Sequence, residues 1–124
     1  MKLASKLLLP LTALLLSNVA LATELQCQVS AKYNDGFNSP CEGSDYNWKK
    51  PTTQVDVRLV NLSGTVSQVI WNGTEVCQGT SCINRTFSMP TGVKYFSAQV
   101  LYTNGTWETL NVTALWDNLA LGGL

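Results

Sequence analysis

Histidine is absent from this 124-residue chain, and the commonest general base of enzyme catalysis is absent with it. Triads of the Ser-His-Asp or Cys-His kind are thereby excluded. Charge is scarce as well: Lys, Arg, Asp and Glu make up 13% of the residues, eight basic against eight acidic. No basic patch exists to hold the phosphates of a nucleic acid, so none is expected as a partner. Beyond residue 22 no apolar run reaches the roughly 20 residues of a membrane-spanning helix. Nor does any segment there show the three- and four-residue apolar spacing of an amphipathic helix. The length suits one folded unit with one modest core.

The N-terminus carries what the rest lacks. Lys2 and Lys6 precede a leucine-rich run from Leu7 to Leu16, and small residues follow, ending Ala20-Leu21-Ala22. A positive region, an apolar region and an Ala-x-Ala site make a secretory leader. Pro10 and Ser17 interrupt the run, which is short for a bilayer span. Cleavage is expected after Ala22, which leaves a domain over residues 23–124, secreted or periplasmic, with no stable membrane insertion. Losing Lys2 and Lys6 leaves six basic and eight acidic residues, a net charge of −2.

All four cysteines, Cys27, Cys41, Cys77 and Cys82, follow the leader. An even number behind an export signal reads as two disulfides. Of three possible pairings, Cys27 with Cys41 and Cys77 with Cys82 is favoured, because each pair brackets a turn-rich segment. Zinc is the competing use, but its usual sites need His or paired Cys-x2-Cys arms, and neither is present.

Alternation supplies the strands. Leu25, Cys27, Val29 and Ala31 alternate with polar residues, and Val55, Val57 and Leu59 do the same farther on. Between them, residues 34–52 are dense in Asn, Asp, Gly, Ser and Pro and read as one long loop held at its middle by Cys41. Val66 to Trp71 is β-branched and aromatic and runs into Asn72-Gly73, a strong hairpin signal, with Thr74-Glu75-Val76 as the return arm. Ile83 to Met89 is a further short strand before Pro90-Thr91-Gly92. Phe96, Ala98, Val100 and Tyr102 then share one face, a second hairpin turn follows at Asn104-Gly105, and the chain returns through Leu110, Val112 and Ala114. The apolar tail from Trp116 to Leu124 is open between a last strand, a docking segment and the mark of a chain truncated before a further module. The pattern predicts an all-β sandwich of about seven short antiparallel strands.

Three pieces of this pattern, Val69-Ile70-Trp71-Asn72-Gly73, Thr86 through Gly92, and Lys94 through Tyr102 followed by Asn104-Gly105, resemble bacterial immunoglobulin-like and polycystic-kidney-disease-like (PKD) modules. The resemblance covers Val66 to Trp107, about a third of the chain. It implies an immunoglobulin-like sandwich used outside the cell for binding, spacing or adhesion, and it transfers no catalytic residue. The PKD turn with two glycines around an aspartate is missing, and a Cys77–Cys82 bridge is not a general feature of either family.

Carboxylates remain the only candidates for acid–base work: Asp35, Glu42, Asp45, Asp56, Glu75, Glu108 and Asp117. Most lie in turns or on polar strand faces, as ordinary surface charges do, so no enzyme activity is expected. Asn34, Asp35, Asn38, Glu42 and Asp45 collect hard oxygens in one segment. Their spacing is not that of an EF-hand, and turn formation accounts for them, so neither a metal nor another cofactor is expected.

Aromatics are the better site candidates, because sugar rings stack their C–H faces on Trp and Tyr while their hydroxyls seek polar neighbours. Trp71 ends an apolar strand and reads as a core or corner residue, whereas Tyr46, Trp48, Tyr95 and Trp107 are the expected ligand-binding residues. Five sequons occur, at Asn61, Asn72, Asn84, Asn104 and Asn111. Any of these is a glycan acceptor in a eukaryotic secretory pathway, but three include turn asparagines and the leader reads as bacterial, so the sequence leaves glycosylation open. The expected function is a secreted, non-enzymatic module that recognises carbohydrate or another extracellular surface. Two rivals remain: an adhesion module acting by protein–protein contact, with a concentration-dependent mass, and an exported inhibitor or effector whose inserted element is the Cys77–Cys82 loop.

Overall fold

The computed structural model describes residues 22–72, 77, 79–88 and 92–121. The expected leader lies outside them except for Ala22, as do the return arm 74–76, Met89-Pro90-Thr91 and the last three residues of the tail. Eight strands occur among the described residues: β1 (Glu24–Val29), β2 (Tyr33–Asn34), β3 (Cys41–Asp45), β4 (Thr52–Val60), β5 (Val66–Asn72), β6 (Ser81–Ser88), β7 (Val93–Tyr102) and β8 (Trp107–Asn118). A single 3-10 turn, Leu119–Leu121, follows β8.

The strands form two sheets, β1-β4-β6 and β2-β3-β8-β7-β5. Period-2 patterning decides which side of each strand faces the core. Leu25, Cys27 and Val29 on β1 and Val55, Val57 and Leu59 on β4 meet Phe96, Ala98 and Val100 on β7 and Val112, Ala114 and Trp116 on β8 in one buried cluster. Phe87 on β6 packs edge-on against Trp116 on β8, with ring centroids 5.8 Å apart. Each fully buried Val, Leu or Phe of this cluster contributes about 1.5–3 kcal/mol relative to exposure.

Both disulfides join the pairs expected, Cys27 with Cys41 and Cys77 with Cys82. The first ties β1 in one sheet to β3 in the other. The Cys77–Cys82 segment is held by the Trp71 indole N–H, which donates to the Gly79 carbonyl at 3.1 Å, and by the Leu59 N–H, which donates to the Thr80 carbonyl at 2.9 Å. Asn104-Gly105 closes the β7–β8 hairpin as expected, with Gly105 at φ 88°.

Two expectations need correction, the long loop and the wholly antiparallel pairing. Residues 34–52 are not one loop. Cys41-Glu42-Gly43-Ser44-Asp45 forms β3, which pairs in parallel with β8 from Cys41↔Ala114 to Asp45↔Asn118, so the sheet is not wholly antiparallel. Nothing in that polar, Gly-containing segment signals a strand; the free edge of β8 supplies its hydrogen-bond partners. β5 ends at Asn72, and its expected return arm 74–76 lies outside the described residues. The strand pairs with β7, while β6 crosses to the other sheet and pairs with β4.

Gly43 shows why β3 carries so little side chain. A Cβ there would lie 2.8 Å from Val29 Cγ1 and 2.9 Å from Ala31 Cβ. Gly43→Ala is therefore expected to destabilise the domain by about 1–3 kcal/mol, the usual cost of overpacking, as measured by urea unfolding. Unchanged stability would mean that β3 can shift away from β1.

Candidate functional site

The chain leaves β3 at Asp45 and reaches β4 at Thr52, so residues 46–51 cap one end of the two sheets. Alternation along β8 puts Asn118 in phase with Val112, Ala114 and Trp116, facing inward, and Asn118 is 0% exposed. All of its polar capacity is spent on the cap. Its Oδ1 accepts from the Asn47 N–H at 3.0 Å, and its Nδ2 donates to the Asn47 and Lys50 carbonyls, each at 2.8 Å. Asn47 closes the turn from within, its Oδ1 accepting from the Lys49 N–H at 3.0 Å.

Asp45 anchors the start of the same loop. Its Oδ2 accepts from the Trp116 indole N–H at 3.0 Å and from Lys50 Nζ at 2.8 Å, and its Oδ1 accepts from the Lys32 backbone N–H at 3.0 Å. Burial by itself would push this carboxyl up. The hydrogen bonds from Lys50, Lys32 and Trp116, with the Lys50 charge, outweigh burial and hold it below the ordinary aspartate value. Lys50 Nζ also donates to the Ser30 carbonyl at 2.8 Å. The backbone of the cap is thus held by two buried side chains.

Its aromatics stand out from it. Tyr46 is 68% and Trp48 69% exposed, and Tyr33 on the adjoining β2 is 56% exposed. A 440 Å³ recess lies between Tyr33 and Tyr46, lined also by Lys32, Asp45, Asn47 and Lys50; Trp48 stands outside it. Lys32 Nζ sits 5.4 Å from the centroid of Tyr33 and Lys49 Nζ 5.3 Å from that of Trp48, distances at which a cation is drawn to a ring face. The recess combines aromatic faces, ammonium donors and one carboxylate.

Tyr95 and Trp107, 76% and 61% exposed, lie elsewhere. Both project from the outer face of the five-stranded sheet, where Tyr95 is opposite Thr113 and Trp107 is opposite Leu101. Six residues of β7 separate those positions, so the two side chains stand roughly 20 Å apart. From Trp107 to the Asn118 end of β8 is roughly 37 Å. The four expected residues therefore do not form one site: Tyr46 and Trp48 share the cap, Tyr95 lies on the sheet face and Trp107 at the far end. Next to Tyr95 a 380 Å³ hollow is lined by Asn72, Ser97, Asn111 and Thr113 among others. The described lining of that hollow is uncharged, amides and hydroxyls with Phe96 and Val112, and Tyr95 is its exposed aromatic.

The carboxylates considered for catalysis are dispersed. The Asp35 carboxylate accepts from the Glu42 N–H and from Asn38 Nδ2, Asp56 accepts from the Asn84 N–H at 2.8 Å, and Glu108 accepts from the Tyr102 hydroxyl. Among the described residues no three His, Cys, Asp or Glu side chains group as metal ligands would. No helix among them is long and apolar enough to cross a membrane, and the two disulfides fit an oxidising compartment.

Sequence reasoning missed Tyr33, Lys32 and Asn118. Asn118 had a legible sign, a polar residue in phase with the inward apolar residues of its strand. Tyr33 had none, because only β2 pairing with β3 at Tyr33↔Ser44 brings it beside Tyr46. Compared with family models, curated proteins and solved structures, the chain matches none.

Proposed function

We propose that the protein is an exported, non-enzymatic binding module of the immunoglobulin-like sandwich class that recognises carbohydrate at an extracellular surface, and that its contact surface is the cap bearing Tyr33, Tyr46 and Trp48. Strand order supports the class. The β1-β4-β6 sheet corresponds to strands A, B and E of an immunoglobulin-like sandwich, and β5, β7 and β8 correspond to C, F and G.

The observation that carries the function is the contrast within residues 45–50. The backbone is pinned by buried Asp45 and Asn118, while Tyr46 and Trp48 remain about two-thirds in water. Rings held out on a rigid support bind without a large ordering cost. Their faces suit the C–H side of a pyranose, and Lys32, Lys50 and Asn47 suit its oxygens.

The oxidised domain should be retained on one of cellulose, chitin, xylan or peptidoglycan, with a shift in Trp emission upon soluble oligosaccharide. Trp48→Ala and Tyr46→Ala should each weaken binding by about tenfold or more, roughly 1.4 kcal/mol for a lost aromatic anchor, with circular dichroism unchanged. Retention that survives both changes but fails in Tyr95→Ala or Trp107→Ala would move the site to the sheet face. No retention on any matrix sinks the sugar reading.

A further inference from the structure

Half of the ten asparagines in the chain stand in Asn-x-Ser/Thr sequons, and four of those five sequons end in threonine. Every one of the five, Asn61, Asn72, Asn84, Asn104 and Asn111, is exposed. The three-part layout of the leader is shared by bacterial and eukaryotic secretion, so a route with N-glycosylation is open to this chain.

Their local geometry suits modification. Asn61 and Asn84 adopt φ values of 55° and 56°, the left-handed region that marks turns and bulges. Asn104 stands at the tip of the β7–β8 hairpin. Its Oδ1 accepts both the N–H and the hydroxyl of Thr106, at 3.0 and 2.6 Å, which places the sequon hydroxyl on the acceptor amide. Asn72 ends the edge strand β5 and Asn111 faces outward from β8. They lie on one level of the outer face, since both pair with Ser97 of β7.

The five are spread over both sheets but stay off the cap. Asn61 and Asn104 sit at the end opposite the cap, Asn72 and Asn111 on the outer face of the five-stranded sheet, and Asn84 on the edge strand β6. Seven residues separate Asn111 from Asn118, which puts Asn111 roughly 24 Å from the cap. No sequon falls on Lys32, Tyr33 or residues 45–50.

We infer that these five asparagines carry N-linked oligosaccharides, which cover the outer sheet face around Tyr95 and the far end near Trp107 and leave the Tyr33–Tyr46–Trp48 cap bare. The acceptor assignment stands apart from the sugar-binding reading; the statement about the bare cap rests on it.

The full chain with its leader, secreted from yeast, tests both parts. Treatment with peptide-N-glycosidase in heavy-oxygen water should convert Asn61, Asn72, Asn84, Asn104 and Asn111 to labelled Asp, with collapse to the polypeptide mass. Each Asn→Gln change should remove one glycan step on a gel. A secreted chain already at polypeptide mass and unaffected by the enzyme overturns the acceptor assignment. Glycosylated and deglycosylated protein should be labelled equally at Tyr46 and Trp48 by a ring-modifying reagent, while Tyr95 should gain reactivity after deglycosylation. Equal reactivity of Tyr95 in the two forms overturns the covering of the sheet face. Neither readout depends on whether any polysaccharide is retained.

Discussion

Replacing Asp45 by alanine is expected to lower stability by about 3 kcal/mol, the loss incurred when a buried donor is left unsatisfied and a partly exposed charge pair goes with it. For a domain of this size that corresponds to roughly 15 °C in Tm. The carboxylate accepts the indole N–H of Trp116, which is 0% exposed, and alanine leaves that buried donor without its acceptor. Lys50 is less affected, because its side chain is 30% exposed and can turn to water. Lys50→Ala should therefore cost only about 1 kcal/mol, near the upper end for a partly exposed pair. Equal losses in the two variants would place the stabilisation in the ion pair and remove the Trp116 bond from the account.

Acidity should reveal the same group. The folded state holds Asp45 below its ordinary value, so the charged form is favoured by folding. Its contribution is fully present above the unfolded value of about 3.9 and is lost as pH falls through the lower folded value. The gap in unfolding free energy between wild type and Asp45→Asn should be constant from pH 5 to 8 and shrink below about pH 4. A gap that widens on acidification would mean that folding favours the protonated Asp45 carboxyl. Because Asp45 opens the cap, Asp45→Asn should also loosen Tyr46 and Trp48, visible as faster hydrogen exchange over residues 46–51.

Removing the Cys27–Cys41 bridge is expected to have the second large effect. Its ends are 14 residues apart in sequence, for which loop-closure entropy suggests about 3 kcal/mol. The Cys77–Cys82 bridge spans five residues and should contribute about 2 kcal/mol on the same model. Cys27→Ala with Cys41→Ala should thus lower the urea midpoint more than Cys77→Ala with Cys82→Ala. The first bridge also fastens β1 in one sheet to β3 in the other, so its loss should release β3, whose five residues bury little apolar surface. The reverse order would show that β3 is held by its pairing with β8 and not by the bridge.

Much of this architecture was legible in the order of residues. Val55-Asp56-Val57-Arg58-Leu59 and Phe96 through Tyr102 declare strand period and inward face together, because a half-buried strand demands alternation. Asn104-Gly105 marks its turn because both residues tolerate positive φ. Of the three cysteine pairings that the sequence leaves open, the favoured one is the one that occurs. The exposed aromatics were recognisable as candidates, but sequence spacing could not say that Tyr46 and Trp48 would share a cap while Trp107 stood at the far end.

Local chemistry by itself determined the β class, the inward faces and the β7–β8 hairpin, since each depends on neighbours within a few residues. Only the tertiary structure decided that Cys41-Glu42-Gly43-Ser44-Asp45 is a strand, that β5 joins β7, and that Asn118 and Asp45 support the aromatic cap. In each of these, the partner groups lie far away in sequence. A polar segment becomes a strand, and a tail asparagine a structural bolt, when a distant edge or loop supplies the hydrogen bonds that its own residues cannot make.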